Sequence, residues 1–208
     1  MPAPDRSSSR LFASATSRNR DAILEVLTRV VPAGAHVLEI ASGTGEHATF
    51  LAERLPVASW QPTDPDPDSR ASIDAWTAHL HASHVLPPLA LDVTADPWPT
   101  GPTPRPTDVV VCINMIHIAP WSACLALLDG ASAALTSHGS LYLYGPYRRA
   151  GAHTAPSNAA FDASLRARDP AWGIRDLETV TAEAAGRGLR LDSVVEMPAN
   201  NLSVLFRR

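Results

Sequence analysis

Apolar residues recur along this chain with two alternating periods. Ile23, Leu24, Leu27, Val30 and Val31 fall on one face of a helix, with Ser17 or Asn19 as N-cap and Asp21 in the first turn. Pro32 ends that helix and Gly34 turns the chain into a short apolar run, Val37 to Ile40, that reads as a strand. A helix over 46–55 follows, with Phe50, Leu51 and Leu55 inward. The same reading gives a strand over 58–63, a Pro/Asp turn at 65–68, a helix over 69–82 and a strand over 84–91. Five prolines make 95–107 a loop. The run 108–114 is apolar throughout, the pattern of a parallel strand buried on both faces. A helix over 120–136, with Pro120 in its first turn, and a strand over 140–144 come next. A polar, small-residue connection covers 145–169, followed by a helix over 176–186. Strands 189–197 and 202–206, joined by a Pro-Ala-Asn-Asn turn, predict an antiparallel hairpin.

This order predicts an α/β fold: a seven-stranded, mostly parallel sheet with an antiparallel last strand and helices on both faces. With no internal repeat, 14–208 reads as one domain with a loop or lid insertion around 145–170, and 1–13 as a disordered tail.

Composition narrows the classes. A length of 208 residues with 45% apolar content suits one folded domain, not a disordered chain. The net charge of −4 argues against a generic nucleic-acid or membrane-surface binder. All 17 basic residues are arginine, a bias expected of a GC-rich bacterial genome. Cys112 and Cys124 lie in an apolar strand and a helix, so they read as buried thiols in a reducing compartment. Neither a signal-type apolar stretch nor a spanning segment is evident, and a cytoplasmic protein is expected.

The chemistry gathers where strands end. In an open parallel sheet, ligands bind outside the carboxyl ends of the strands. There this chain places Glu39 and the turn Ala41-Ser42-Gly43-Thr44-Gly45, then Asp64, Asp92-Val93, Asn114 to His117, and Tyr144 to Tyr147. Asp64 follows Gly45 by about twenty residues, the spacing at which an acid reaches ribose hydroxyls. The third glycine of a dinucleotide-binding G-x-G-x-x-G turn is missing, which disfavours an NAD(P)-dependent oxidoreductase. A carboxylate at position 39 suits a ligand with a positive end, and S-adenosylmethionine carries an ammonium and a sulfonium.

The stretch around Glu39 resembles motif I of class I methyltransferases, (D/E)-x-G-x-G-x-G, with Ala41 at the first glycine. The longer strings L-E-I-A-S-G-T-G-E-H, I-N-M-I-H, L-Y-G-P-Y and H-T-A-P-S-N resemble a small methyltransferase-like family of bacteria and animals, over about Ser14 to Arg208. The resemblance implies a Rossmann-like class I methyltransferase fold and S-adenosyl-L-methionine as cofactor, with S-adenosyl-L-homocysteine as product. It implies that Glu39 faces the methionine end, that Ala41, Ser42, Gly43 and Gly45 offer close backbone contact, and that Asp64 accepts from the ribose. Asp92 and the Val93 amide would read adenine, Asn114 would line the floor beneath the methyl group, and Arg20 would pair with the cofactor carboxylate.

Acceptor-side candidates are His117, Tyr144, Tyr147, His153, Asn158 and Asp162, with His117 as general base and Tyr147 as the second catalytic candidate. No metal is required; His79, His81 and His84 lack ligand spacing. Met115-Ile116 stand where amino-group methyltransferases carry two prolines. The leading expectation is therefore methyl transfer to a small molecule, with no nucleic-acid or membrane partner. The alternative is a non-catalytic cofactor-binding or partner-binding protein on the same fold.

Overall fold

The computed structural model describes residues 10–99 and 106–208. The chain divides into two compact units, one holding the residues up to Asp92 and the other Val93–Trp98 and the residues from Pro106 on. The class is the expected one, mixed α/β with mostly parallel pairing and antiparallel last strands.

In the first unit, α1 (Thr16–Val30) precedes β1 (Ala35–Ile40), α2 (Glu46–Ala52), β2 (Val57–Pro62) and α3 (Pro67–Leu80). β1 and β2 are parallel, with Val37 opposite Trp60 and Glu39 opposite Pro62. Parallel neighbours need a crossover, which α2 supplies. Ile23 and Leu27 bury the apolar face of α1. Its start differs from expectation: Ala15 is the N-cap, with no side-chain cap bond. Asn19 is used elsewhere, its Oδ1 lying 2.9 Å from His47 Nε2. The strand expected over 84–91 is reduced to two isolated parallel bridges, Trp60 to Val85 and Thr63 to Leu89. Pro87 and Pro88 supply no amide donors there, which breaks the ladder.

Of the tail expected over 1–13, residues 1–9 lie outside the described ones. Residues 10–13 are pinned to the first unit. The Leu11 amide donates to Ser72 Oγ at 2.8 Å, and the Leu11 carbonyl accepts from Trp76 Nε1 at 2.9 Å. The Ala13 amide donates to Glu46 Oε2 at 2.6 Å. Phe12 meets the Trp76 ring edge-on, and the Arg10 guanidinium lies over the same ring.

The second unit contains β3 (Thr107–Ile113), a 3-10 turn at Met115–His117, α4 (Trp121–Ala134) and β4 (Leu135–Arg149). It continues with β5 (Ala152–His153), α5 (Pro156–Arg168), β6 (Arg175–Asp176), α6 (Leu177–Ala185), β7 (Arg190–Met197) and β8 (Asn201–Arg207). β3 runs parallel to β4, and β8 lies antiparallel between β4 and β7, so the expected final hairpin is present. Of the proline-rich loop at 95–107, residues 100–105 lie outside the described ones.

The 145–170 stretch is not a loop. β4 runs on to Arg149, turns back into β5, and α5 follows with Pro156 in its first turn. Few large apolar residues mark α5, which hid its period in the sequence. The outer end of β4 pairs antiparallel with β5 and parallel with β6. Among the described residues no helix is long and apolar enough to cross a membrane.

Candidate functional site

In the first unit, the end of β1 passes straight into a left-handed turn. Ala41, Gly43 and Gly45 have φ of 54°, 56° and 85°. Ala41 therefore holds a glycine-type conformation, at a cost of about 1 kcal/mol. The turn is tied to β2 on one side. The Ser42 amide donates to the Thr63 carbonyl at 2.8 Å, and the Thr63 amide donates to Ser42 Oγ at 3.2 Å. Asp64, itself buried, accepts from the Gly43 amide at 2.9 Å through Oδ2 and from the Asp66 amide at 3.0 Å through Oδ1. Gly45 admits no side chain, because a β-carbon there would stand 2.7 Å from the Ile73 Cα.

Glu39 sits beneath this turn at 2% exposure. Trp60 Nε1 donates to its Oε2 at 3.0 Å. Burial pushes the Glu39 carboxyl up to about 7, against the opposing bonds from Trp60 and Ser42, and nearby Asp64 adds to the rise. Among the described residues Glu39 has no cationic partner. Arg20 on α1 lies over the Phe50 ring, and its buried Nε has no hydrogen-bond partner. Burial and the Arg20 charge push His47 down to about 4.

The turn is also linked to the pinned segment 10–13. Ser72 Oγ, which receives the Leu11 amide, donates to the Thr44 carbonyl at 2.7 Å, and Thr44 Oγ1 donates to Glu46 Oε2 at 3.1 Å. Asp92 is exposed at the end of its unit.

In the second unit, the Val93 carbonyl accepts from Trp98 Nε1 at 3.0 Å. Asn114 adopts φ 65° at the end of β3, and its amide donates to the Tyr144 carbonyl at 2.8 Å. The 3-10 turn then carries His117 inward to 1% exposure. Among the described residues neither ring nitrogen of His117 has a hydrogen-bond partner, nor has the hydroxyl of Tyr147, whose ring meets His117 edge-on at 5.3 Å. Burial, helped by the Arg175 charge, pushes His117 down to about 3, although the Gly173 backbone and Asp162 pull the other way. Burial raises the Tyr147 hydroxyl well above its ordinary value. Tyr144 is buried in β4.

Around α5 the candidates converge. Asp162 accepts from the Ile174 amide at 2.6 Å and from Arg166 Nε at 3.1 Å, and lies 3.5 Å from His153 Nε2. Burial works to raise Asp162, but the Ile174 amide and Arg166 outweigh it and hold the carboxyl below its usual value. Asn158 is used internally, its Nδ2 donating to Thr154 Oγ1 and to the Asn200 carbonyl. The sequence reading missed Trp60, Ser72, Gly173 and Arg175. Trp60 lies in the string W-Q-P-T-D that ends at Asp64, and Gly173 and Arg175 lie in the string R-D-P-A-W-G-I-R-D, whereas Ser72 carried no signal. Arg175 donates to the Ile116 and Ala119 carbonyls, which fixes the turn that presents His117.

A family model described as "Protein of unknown function (DUF938)" matches residues 10–208. Solved structures share the fold at low identity. An O-methyltransferase family 2 protein from Planctomyces limnophilus, in complex with apigenin, is 18% identical with a TM-score of 0.76, the match covering 97% of this chain and 62% of that one. The S-adenosylmethionine-dependent methyltransferase SibL, in its apo form, is 20% identical with a TM-score of 0.75, covering 93% and 55%. Human N-acetylserotonin methyltransferase, in complex with SAM, is 15% identical with a TM-score of 0.73, covering 93% and 52%. The match thus spans little more than half the length of these proteins.

Proposed function

The chain belongs to the family described as Protein of unknown function (DUF938), and from that premise we propose that it is an S-adenosylmethionine-dependent methyltransferase acting on a small molecule. One observation carries the reading: a carboxylate with no cationic partner among the described residues, buried at the start of a left-handed two-glycine turn. Such a group is costly to ionise alone and becomes favourable once a cation is bound against it. The names of the structural neighbours support the same cofactor class.

Bound there, the cofactor would supply an electrophilic methyl group on a sulfonium. Glu39 balances its positive end, and the partnerless Nε of Arg20 donates to its carboxylate. Asp64 spends one lone pair of each oxygen on the Gly43 and Asp66 amides and keeps the others for ribose hydroxyls. Gly43 and Gly45 let the backbone approach closely. Within the same unit, Asp92 accepts from the adenine amino group.

On the acceptor side, Tyr144, Asn158, His117 and Tyr147 wall the second unit's share of the reading. His117 is the uncharged imidazole at neutral pH and Tyr147 keeps its hydroxyl proton, so both serve by shape rather than by proton exchange.

Calorimetry with S-adenosylmethionine, S-adenosylhomocysteine and NADH tests the reading. Binding of the first two is expected; binding of NADH alone overturns it. Transfer of labelled methyl from the cofactor into the small-molecule fraction of a cell extract then separates an enzyme from a non-catalytic binder.

A further inference from the structure

Two buried nitrogens without partners among the described residues belong to directly paired residues of the β4–β5 ladder. Arg148 pairs directly with His153, and cross-strand partners put their side chains on the same side of the sheet. Arg148 Nε and His153 Nδ1 are both buried, with no hydrogen-bond partner among the described residues. Leaving such groups unmet is costly, and a ligand can remove that cost. Their chemistry is complementary. Arg148 can only donate. Asp162 lies 3.5 Å from His153 Nε2 and is itself fixed by the Ile174 amide and Arg166. A carboxylate at Nε2 keeps the proton on that nitrogen and leaves a bare lone pair at Nδ1.

We propose that Arg148 and His153, with Asp162 as the positioning residue, form a site that binds an acidic hydroxyl, of the phenol class, and takes its proton. This rests on the methyltransferase reading, within which the site would prepare the methyl acceptor. The O–H bond breaks with its electron pair left on oxygen, and the proton forms an N–H bond at His153 Nδ1. The oxyanion lies beside the Arg148 guanidinium, and the imidazolium is balanced by Asp162. Other charges packed here are Arg166 against Asp162, and Asp176 and Arg175 beside Arg148. Asp176 pairs with Arg148 on the opposite side of β4, but its carboxylate is occupied by the Gly151 and Thr179 amides. His117 is sealed at 1% exposure, whereas the His153 ring reaches the surface at 26% with its Nδ1 edge covered.

The test uses the full chain and 4-nitrophenol, whose visible band reports its ionisation. The wild type is expected to bind it as the phenolate at a pH below its solution pKa. H153Q and R148M each weaken binding by about tenfold or more and remove the phenolate band. Their affinity for S-adenosylmethionine, measured by calorimetry, stays at the wild-type value, which also certifies folding. Nitrogen-15 spectra show His153 protonated at Nε2, and D162N mixes the two tautomers. The proposal is overturned if H153Q ionises the probe as well as the wild type does. It is equally overturned if a folded wild type leaves the probe unbound or neutral. Failure to bind S-adenosylmethionine would remove the cofactor reading alone, since the nitrophenol measurements decide this site by themselves.

Discussion

Gly145 and His117 interlock. A β-carbon on Gly145 would fall 2.4 Å from His117 Nε2 and 2.6 Å from its Cδ2. The glycine of the L-Y-G-P-Y string is thus required by the histidine of I-N-M-I-H, twenty-eight positions earlier in the chain. Gly145→Ala is expected to destabilise the protein by about 2 kcal/mol through overpacking. His117→Ala combined with it should recover about 1 kcal/mol or more of that loss. Denaturant midpoints of the two single variants and the double variant check the coupling, and strictly additive effects would refute it.

Glu39 makes stability depend on pH with a definite sign. Its carboxyl is pushed up to about 7 in the folded chain from an ordinary 4.5, so the folded state favours the protonated form. Below 4.5 both states hold the proton and there is no penalty. As pH rises from 4.5 to about 7 the unfolded state gains by ionising and the protein loses up to ~3 kcal/mol, constant above. Glu39→Gln, which can still accept from Trp60, should be more stable than the wild type at pH 8 and nearly equal at pH 4. Thermal melts across that range measure the difference.

If the proposed cofactor binds against Glu39, binding must release a proton near neutrality, because the cation favours the ionised carboxylate. Calorimetric enthalpies in buffers of different ionisation enthalpy should therefore diverge for the wild type at pH 7. They should coincide for Glu39→Gln, with weaker binding.

The two turn glycines should differ in severity. Gly45→Ala meets the Ile73 backbone at 2.7 Å as well as a φ of +85°, whereas Gly43→Ala meets open space and only a φ of +56°. Gly43→Ala should cost about 1 kcal/mol and Gly45→Ala clearly more. The reverse ranking in urea melts would contradict the packing of the turn against α3.

Trp76 anchors residues 10–13. Trp76→Ala removes the hydrogen bond to the Leu11 carbonyl and the ring under Phe12 and Arg10. Hydrogen exchange at the Leu11 and Ala13 amides should accelerate by about tenfold, with the β1 and β2 amides unaffected. Unchanged protection at Leu11 would show that the segment is held by something else.

Local features were legible where a few neighbouring residues decide the outcome. Most of the order of strands and helices, the small-residue turn at 41–45 and the final hairpin follow from apolar period, small residues and turn chemistry within short windows. The expected strand over 84–91 failed at Pro87 and Pro88, which the apolar pattern concealed. α5 was hidden because its buried face is built largely from the polar residues Asn158 and Asp162, together with Leu165.

By itself the sequence settled the α/β alternation and placed Glu39, Asp64 and Asn114 where strands end, since both depend on neighbours in the chain, but it misplaced Tyr144 to Tyr147, which lie within β4, and Asp92, whose strand is not formed. Only the tertiary structure decided what those groups can do. It put Trp60 against Glu39, closed Gly145 over His117, and set Asp162 beside His153. Burial and side-chain pairing are made by residues distant in the chain, and they fix the proton affinity and accessibility of a group whose identity alone leaves both open.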